Sequence, residues 1–179
     1  MNIISKDNYR FGENGKMSKM QYCFRKAQEL PKSSIKGRFY RFAYKILSRI
    51  NHVELAVETH IGEGLYIGHG YCITINTKSV IGRNVNIHKG VTIGQENRGK
   101  RMGAPTIGDY VWIGVNSTIV GNVTIGNDVL IAPNSFVNCD VPPHSIVFGN
   151  PCIIKHCTNA TDCYITEVSQ VNKYQLACL

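Results

Sequence analysis

The sequence predicts a mainly β fold: a parallel β-helix of hexapeptide repeats, entered through a short N-terminal α-helical cap. Two patterns carry that prediction. From Ile61 to Val137 an apolar, mostly β-branched residue recurs at Ile61, Ile67, Ile75, Ile81, Ile87, Ile93, Ile107, Ile113, Ile119, Ile125, Ile131 and Val137. The next position is usually tiny, as in Gly62, Gly68, Gly82, Gly94, Gly108, Gly114, Gly126 and Ala132. A period of six fits neither a helix nor a plain hairpin ladder, but it fits a short strand followed by a corner. Three hexads then close one triangular coil, with each Ile inside, stacked on the Ile of the coils above and below. The second pattern lies upstream, where apolar residues between Met17 and Ile50 step by three or four, the period of a helix.

Taken in order, residues 1–14 are polar with Gly and Asn and are expected to be irregular. Met17, Met20, Phe24, Ala27 and Leu30 mark a first helix stopped by Pro31. Ile35, Phe39, Phe42, Ala43, Ile46, Leu47 and Ile50 step the same way and mark a second, and Lys36, Arg38, Arg41, Lys45 and Arg49 fill its remaining positions. These helices complete a cap over residues 1–52, and the β-helix follows over 53–155. Its period slips between Ile67 and Ile81, where Ile73 and Ile75 compete for one inward place and two extra residues suggest a bulge. It slips again between Ile93 and Ile107, and the polar, Gly-rich stretch from Gly94 to Pro105 should leave the prism as a loop, a usual place for a binding site. Pro142-Pro143 ends the repeat, and Ile146–Phe148 and Cys152–Ile154 read as a closing strand pair around Gly149-Asn150-Pro151. The tail, 156–179, has weak apolar spacing (Tyr164, Val168, Val171, Tyr174), that of a short helix or a mobile end.

Composition narrows the function classes. The 179 residues suit one main domain. Seven cysteines show no CxxC pair and no zinc spacing, which reads as reduced thiols in a cytoplasmic protein rather than a metal site. Met1–Arg10 has no apolar core and no long apolar run follows, so neither a signal peptide nor a transmembrane span is expected. The net charge of +8 is concentrated in Lys16–Arg49, where Glu29 is the only acid. No nucleic-acid-reading motif accompanies it. The basic helix is either a solvated cap or a contact with an anionic membrane surface.

Six histidines are available as bases: His52, His60, His69, His88, His144 and His156. His69 lies between Gly68 and Gly70, just after inward Ile67, so it should project outward beside bare backbone. On these residues alone it is as readily an ordinary exposed histidine as a base. His88 also follows an inward residue, about one coil later.

The run from Val53-Glu54 through Gly68-His69-Gly70, then Asn84–Ile87 and Val91–Gly94, resembles the catalytic domain of serine acetyltransferases. The closing run Asp140–Pro151 is similar to the end of many acetyl-CoA-dependent O-acetyltransferases. The resemblance, over roughly 53–155, implies a left-handed β-helix, although the usual crossover preference argues for right-handed. It implies acetyl-CoA as co-substrate and a homotrimer. It also implies His69 as general base, with a carboxylate partner that aligns with Glu54; Glu58 is the other candidate. By resemblance Gly94, Gly114 and Val115 line the pantetheine, while Pro133 and the Asn150, Pro151 and Lys155 segment lie toward the nucleotide.

The departures bear on the acceptor. An aspartate precedes the catalytic histidine in serine acetyltransferases, and an Arg-His pair ends the polar loop; these hold the amino acid. Here those positions are Gly68, Gly103 and Ala104. The expectation is therefore an acetyl-CoA-dependent O-acetyltransferase acting on a sugar or polysaccharide-precursor hydroxyl, by direct attack and without a metal. The alternative is serine. Remoter rivals are an acyl-enzyme through Cys72, a metal site of the γ-carbonic-anhydrase kind using His69 and His88, and a non-catalytic scaffold.

Overall fold

The computed structural model describes residues 1–13 and 15–166. From residue 54 onward the chain winds as a left-handed parallel β-helix of about five turns. One face carries β1 (Glu54–Leu55), β4 (Thr74–Ile75), β7 (Thr92–Gly94), β10 (Thr118–Val120) and β13 (Phe136–Val137). The second carries β2 (His60–Ile61), β5 (Val80–Ile81), β8 (Thr106–Ile107) and β11 (Thr124–Ile125). The third carries β3 (Tyr66–Gly68), β6 (Asn86–His88), β9 (Val111–Ile113), β12 (Val129–Ile131), β14 (Ser145–Phe148) and β15 (Ile153–His156). All neighbours run parallel except β14 and β15, which close the top as an antiparallel pair.

The repeat becomes a core because parallel pairing keeps each coil in register with the next. Leu55, Ile75, Ile93, Ile119 and Val137 stack on the first face, and Ile61, Ile81, Ile107 and Ile125 on the second. Ile67, Ile87, Ile113, Ile131 and Val147 stack on the third. Every one of these residues is buried.

Both slips are accommodated at corners. Ile73 and Ile75 do not compete, since both are buried. Ile73 takes the corner place that Val91 takes one coil later: the Ile73 carbonyl accepts from Glu54 N–H at 2.7 Å, and the Val91 carbonyl from Thr74 N–H at 3.0 Å. The extra residues fall in the turn 69–72. The 94–105 stretch leaves the prism as a loop, pinned at its neck by paired backbone bonds between Glu96 and Gly103 of 2.9 and 3.0 Å.

Three helices cap the first coil, each with an N-cap side chain that accepts a backbone N–H: α1 (Ile3–Tyr9, Asn2), α2 (Lys19–Glu29, Ser18) and α3 (Ile35–Ile50, Ser34). α1 corrects the irregular N-terminus expected from composition. It forms because Asp7, fully buried, meets Arg25 of α2 at 2.7 Å and also accepts from Gly64 N–H and Leu65 N–H at 2.8 and 3.0 Å. Arg25 in turn donates to the Ile61 and Gly62 carbonyls. Such partners are distant in sequence. α2 buries Met20, Phe24 and Ala27 as its spacing predicts.

α3 is helical where expected, and Ala43 and Leu47 are half-buried against the core, but its larger apolar residues face outward. Gly37, Tyr44 and Ser48 are buried, whereas Ile35, Phe39, Phe42, Ile46 and Ile50 are exposed. The Tyr44 hydroxyl decides this, donating to the Leu55 carbonyl at the mouth of the prism. The thiol expectation also needs correction: Cys23, Cys72, Cys139, Cys152 and Cys157 are free, but Cys163 is disulfide-bonded. Spacing does not encode which thiols folding brings together. Val168, Val171 and Tyr174 lie outside the described residues.

The Asp7–Arg25 contact makes a clear prediction. Asp7→Asn leaves Arg25 buried without its counter-charge and is expected to cost about 3–5 kcal/mol in a denaturant melt. Asp109→Asn, whose partner Arg83 is 60% exposed, is expected to cost about 1 kcal/mol or less. Equal losses would show that the buried pair is not what ties the cap to the coil.

Candidate functional site

The edge where the third face turns into the first collects most of the residues singled out in the sequence. Turns at this edge stack through backbone bonds: Gly90 N–H to the Tyr71 carbonyl at 3.0 Å, Asn116 N–H to Lys89 at 3.0 Å and Asn134 N–H to Val115 at 2.9 Å. Above them Phe136 N–H reaches the Gly149 carbonyl at 3.0 Å. One continuous edge therefore carries His69 at the bottom, Gly114 and Val115 midway, Pro133 above, and Asn150 and Pro151 at the top. Close packing forces Gly114 to be bare, since a Cβ there would lie 2.6 Å from Pro133 N and 2.8 Å from the Ile131 carbonyl oxygen. A groove of backbone groups results, flanked by exposed Pro133, Asn150 and Pro151.

His69 is exposed, with φ of 53°, in the left-handed region that few non-glycine residues enter. At comparable corners the chain uses Asn116 and Asn134, whose side chains tolerate that conformation more readily. His52 and His144 share it, and His144 has a structural role, with Nδ1 2.8 Å from Asp128. The unusual φ therefore aims His69 outward without by itself assigning it chemistry.

Glu54 and Gly94 sit elsewhere. Both line a shallow groove of about 490 Å³ on the first face, with Thr74, Asn76 and Thr77. The turn 69–72 docks beside this groove through Cys72 N–H, which reaches the Asn51 carbonyl at 3.1 Å. Among the described residues no hydrogen bond joins Glu54 to His69. Glu58 is already committed to Lys32 and Arg41 at 2.9 and 3.4 Å. Lys155, on β15 opposite Ile146, holds its Nζ 5.8 Å from the Phe148 ring centroid.

His88 has a larger part than its sequence position suggested. Its Nδ1 is 2.9 Å from the Ile113 carbonyl oxygen, which can only accept, so Nδ1 carries the proton and Nε2 presents a lone pair. The ring lies over Gly68, where a Cβ would come within 2.8 Å of Cδ2 and 3.0 Å of Nε2. Burial pushes the His88 imidazole below its ordinary value, and neighbouring His69 lowers it further; the Ile113 bond opposes both. His88 stands in an aromatic row between Tyr66, 6.2 Å away by ring centroid, and Trp112, 4.7 Å away; Trp112 meets Tyr164 at 5.0 Å. Beside this row is a pocket of about 310 Å³, into which Arg10 reaches to hold Asn86 at 2.7 Å. The sequence signal for the row was the pair of outward positions flanking each inward Ile; the approach of Arg10 and Tyr164 had none.

Among the described residues no group of three or more His, Cys, Asp or Glu side chains is placed to hold a metal. The edge instead offers an imidazole beside a bare backbone groove, an arrangement suited to deprotonating a hydroxyl next to an extended ligand.

Comparison with known proteins agrees with the architecture. The bacterial transferase hexapeptide family (six repeats) matches residues 104–139. A serine acetyltransferase from Helicobacter pylori is 35% identical over 132 residues, covering 72% of this chain and 74% of that protein. Soybean serine acetyltransferase complexed with serine superposes with a TM-score of 0.64 at 29% identity, over 76% of this chain and 56% of that one. A serine acetyltransferase in complex with CoA gives 0.63 at 26% identity, over 76% and 55%. Against the curated relatives matched here, the chain spans 30% to 74% of their length.

The His88 environment is testable by NMR titration. Its imidazole is expected to titrate below the usual 6.5 and to be neutral at pH 7. Because the folded value is depressed, the unfolded chain takes up this proton first. The corresponding stability is present above about pH 6.5 and is lost as pH falls from there through the folded value. A His88 titration at or above 6.5 would refute the buried, neutral assignment.

Proposed function

The chain belongs to the serine acetyltransferase family of hexapeptide-repeat transferases, and from that premise we propose that it carries an acetyl group from acetyl-CoA to the hydroxyl of serine. The observation that carries this reading is His69 standing on the edge whose backbone groove runs up to Asn150 and Pro151, in a chain with these relatives. His69 removes the hydroxyl proton as the oxygen attacks the thioester carbonyl carbon. The tetrahedral adduct collapses, the C–S bond breaks, and the imidazolium returns the proton to the departing CoA thiolate. Gly114 and Val115 offer backbone groups to the pantetheine arm, with Pro133, Asn150, Pro151 and Lys155 toward the nucleotide. Gly94 serves from the neighbouring groove. Glu54 stabilises the imidazolium once His69 turns toward it, a contact that tightens only with the acceptor in place.

Serine replaces the sugar hydroxyl expected from the sequence, because the matching relatives include serine acetyltransferases, one of them solved in complex with serine. The missing clamp still has to be explained. A side chain at position 68 would strike the His88 ring, and Gly103 has φ of 138°, which disfavours any side chain there. His88 Nε2, a neutral acceptor over Gly68, supplies a hydrogen bond for an ammonium that no aspartate provides. A sugar acceptor remains the second reading, supported by the aromatic row of Tyr66 and Trp112 and by the absence of counter-charges at 68, 103 and 104.

A thiol-release assay with acetyl-CoA and a panel of L-serine and hexose-containing acceptors decides between them. Serine is expected to turn over with kcat/KM of about 10⁴ M⁻¹s⁻¹ or more. His69→Asn should lower kcat roughly 10²–10⁴-fold while acetyl-CoA still binds. Undetectable serine turnover with rapid transfer to a hexose would overturn the serine reading; near-normal turnover by His69→Asn would overturn the base. The assembly proposed is a homotrimer with cyclic, head-to-tail contacts, and light scattering at micromolar concentration should return three times the 19.9 kDa chain mass. A single-chain mass would refute it.

A further inference from the structure

Helix α3 has two apolar faces, and the fold covers only one. Gly37, Tyr44 and Ser48 are buried, with Tyr40, Ala43 and Leu47 half-buried beside them. Opposite them Ile35, Phe39, Phe42, Ile46 and Ile50 are exposed at 79%, 62%, 64%, 43% and 64%. At about 100° per residue these five fall in an arc of roughly 80°, centred on the side away from the body. Arg38, Lys45 and Arg49 border the arc on one flank and Lys36 on the other, all four exposed. The helix contains no acid. A contiguous apolar stripe of this kind marks an interaction surface.

Charge decides what covers it. A second copy of this chain would have to meet four cations with spare carboxylates; among the described residues only Glu13, Glu54, Asp140 and Asp162 stand outside ion pairs, and Glu54 lines the groove at the candidate site. Glu29, Glu58, Glu63, Glu96 and Asp109 already hold Lys or Arg side chains within the chain. Desolvating the four α3 cations against such a surface would leave at least one of them unpaired, which is costly. A bilayer carrying anionic phospholipid meets both demands: Phe and Ile side chains enter the acyl boundary, and Lys and Arg extend sideways to the phosphates. Among the described residues no helix is long and apolar enough to cross a membrane. The 16 residues of α3, about 24 Å long, suit a helix lying in the plane of the surface.

We propose that α3 docks the protein on anionic phospholipid bilayers, with Ile35, Phe39, Phe42, Ile46 and Ile50 inserted at the interface and Lys36, Arg38, Lys45 and Arg49 on the headgroups. The proposal stands independently of which hydroxyl is acetylated.

Co-sedimentation of the full chain with vesicles tests it, comparing phosphatidylcholine alone with phosphatidylcholine containing about 30% phosphatidylglycerol. Binding to the anionic vesicles is expected to be at least about tenfold stronger and to weaken with salt. Replacing Arg38, Lys45 and Arg49 together by Gln should weaken it by about 100-fold, roughly fivefold per cation. Phe39→Ser with Phe42→Ser should abolish sedimentation while leaving the melting temperature and thiol release in solution unchanged, because both side chains are exposed. Equal binding to neutral vesicles, or full retention by the serine double variant, would overturn the proposal. So would a fall in the light-scattering mass of that variant, which would assign the stripe to contacts between copies.

Discussion

The in-register stacking of β-branched side chains along the prism axis is the constraint on which the rest of the structure depends. Each inward Ile on the third face, from Ile67 through Ile131, rests on the equivalent side chain of the neighbouring coil. Parallel pairing preserves that register from coil to coil. A change of length within a face would move every later inward residue off its stack. Extra residues are therefore tolerated only where the chain turns, and the two places that use this freedom are the turn 69–72 and the 94–105 loop. The proposed base His69 and an irregular turn coincide at 69–72 because the core leaves irregularity nowhere else to go.

The cap follows a different logic. No repeating stack can hold helices on the open end of a prism, since the exposed backbone there has unsatisfied groups as well as apolar ones. Asp7 and Arg25 meet that need by pairing with each other and by satisfying the Gly64 and Leu65 N–H groups and the Ile61 and Gly62 carbonyls. Arg10 works in the same way on the Gly64 carbonyl and on Asn86. Buried charges are costly unless fully hydrogen-bonded, so this arrangement fixes where α1 and α2 dock. It also frees α3 to turn its large apolar residues outward, since Gly37, Tyr44 and Ser48, with Tyr40, Ala43 and Leu47 beside them, make its packing face.

At the site, backbone conformation and ring packing set the chemistry together. Stacked corners supply a groove with no side chains of its own at Gly114. A left-handed φ projects His69 from the bottom of that groove, and the His88 ring occupies the space above Gly68. One imidazole, His69, is left exposed, as the proposed base must be, while the other is held neutral with a fixed tautomer. The difference between them comes from burial and from the Ile113 carbonyl, not from residue type.

The sequence by itself determined the β-helix, where both slips fall, the exit of the 94–105 loop, two of the three helices and His69 as an outward residue beside bare backbone. These follow from local periodicity, because each inward position is defined by its distance along the chain from the last. It could not determine α1, the outward turn of α3, the Cys163 disulfide or the tautomer of His88. Asp7 finds Arg25 across 18 positions, and His88 finds Ile113 across 25. Tyr44 outcompetes Phe39 and Phe42 for the interior because a hydroxyl donor was needed at the Leu55 carbonyl. Only the tertiary structure settles such choices: they rest on polar groups that must be satisfied wherever the folded chain buries them, and no spacing rule records where that will be.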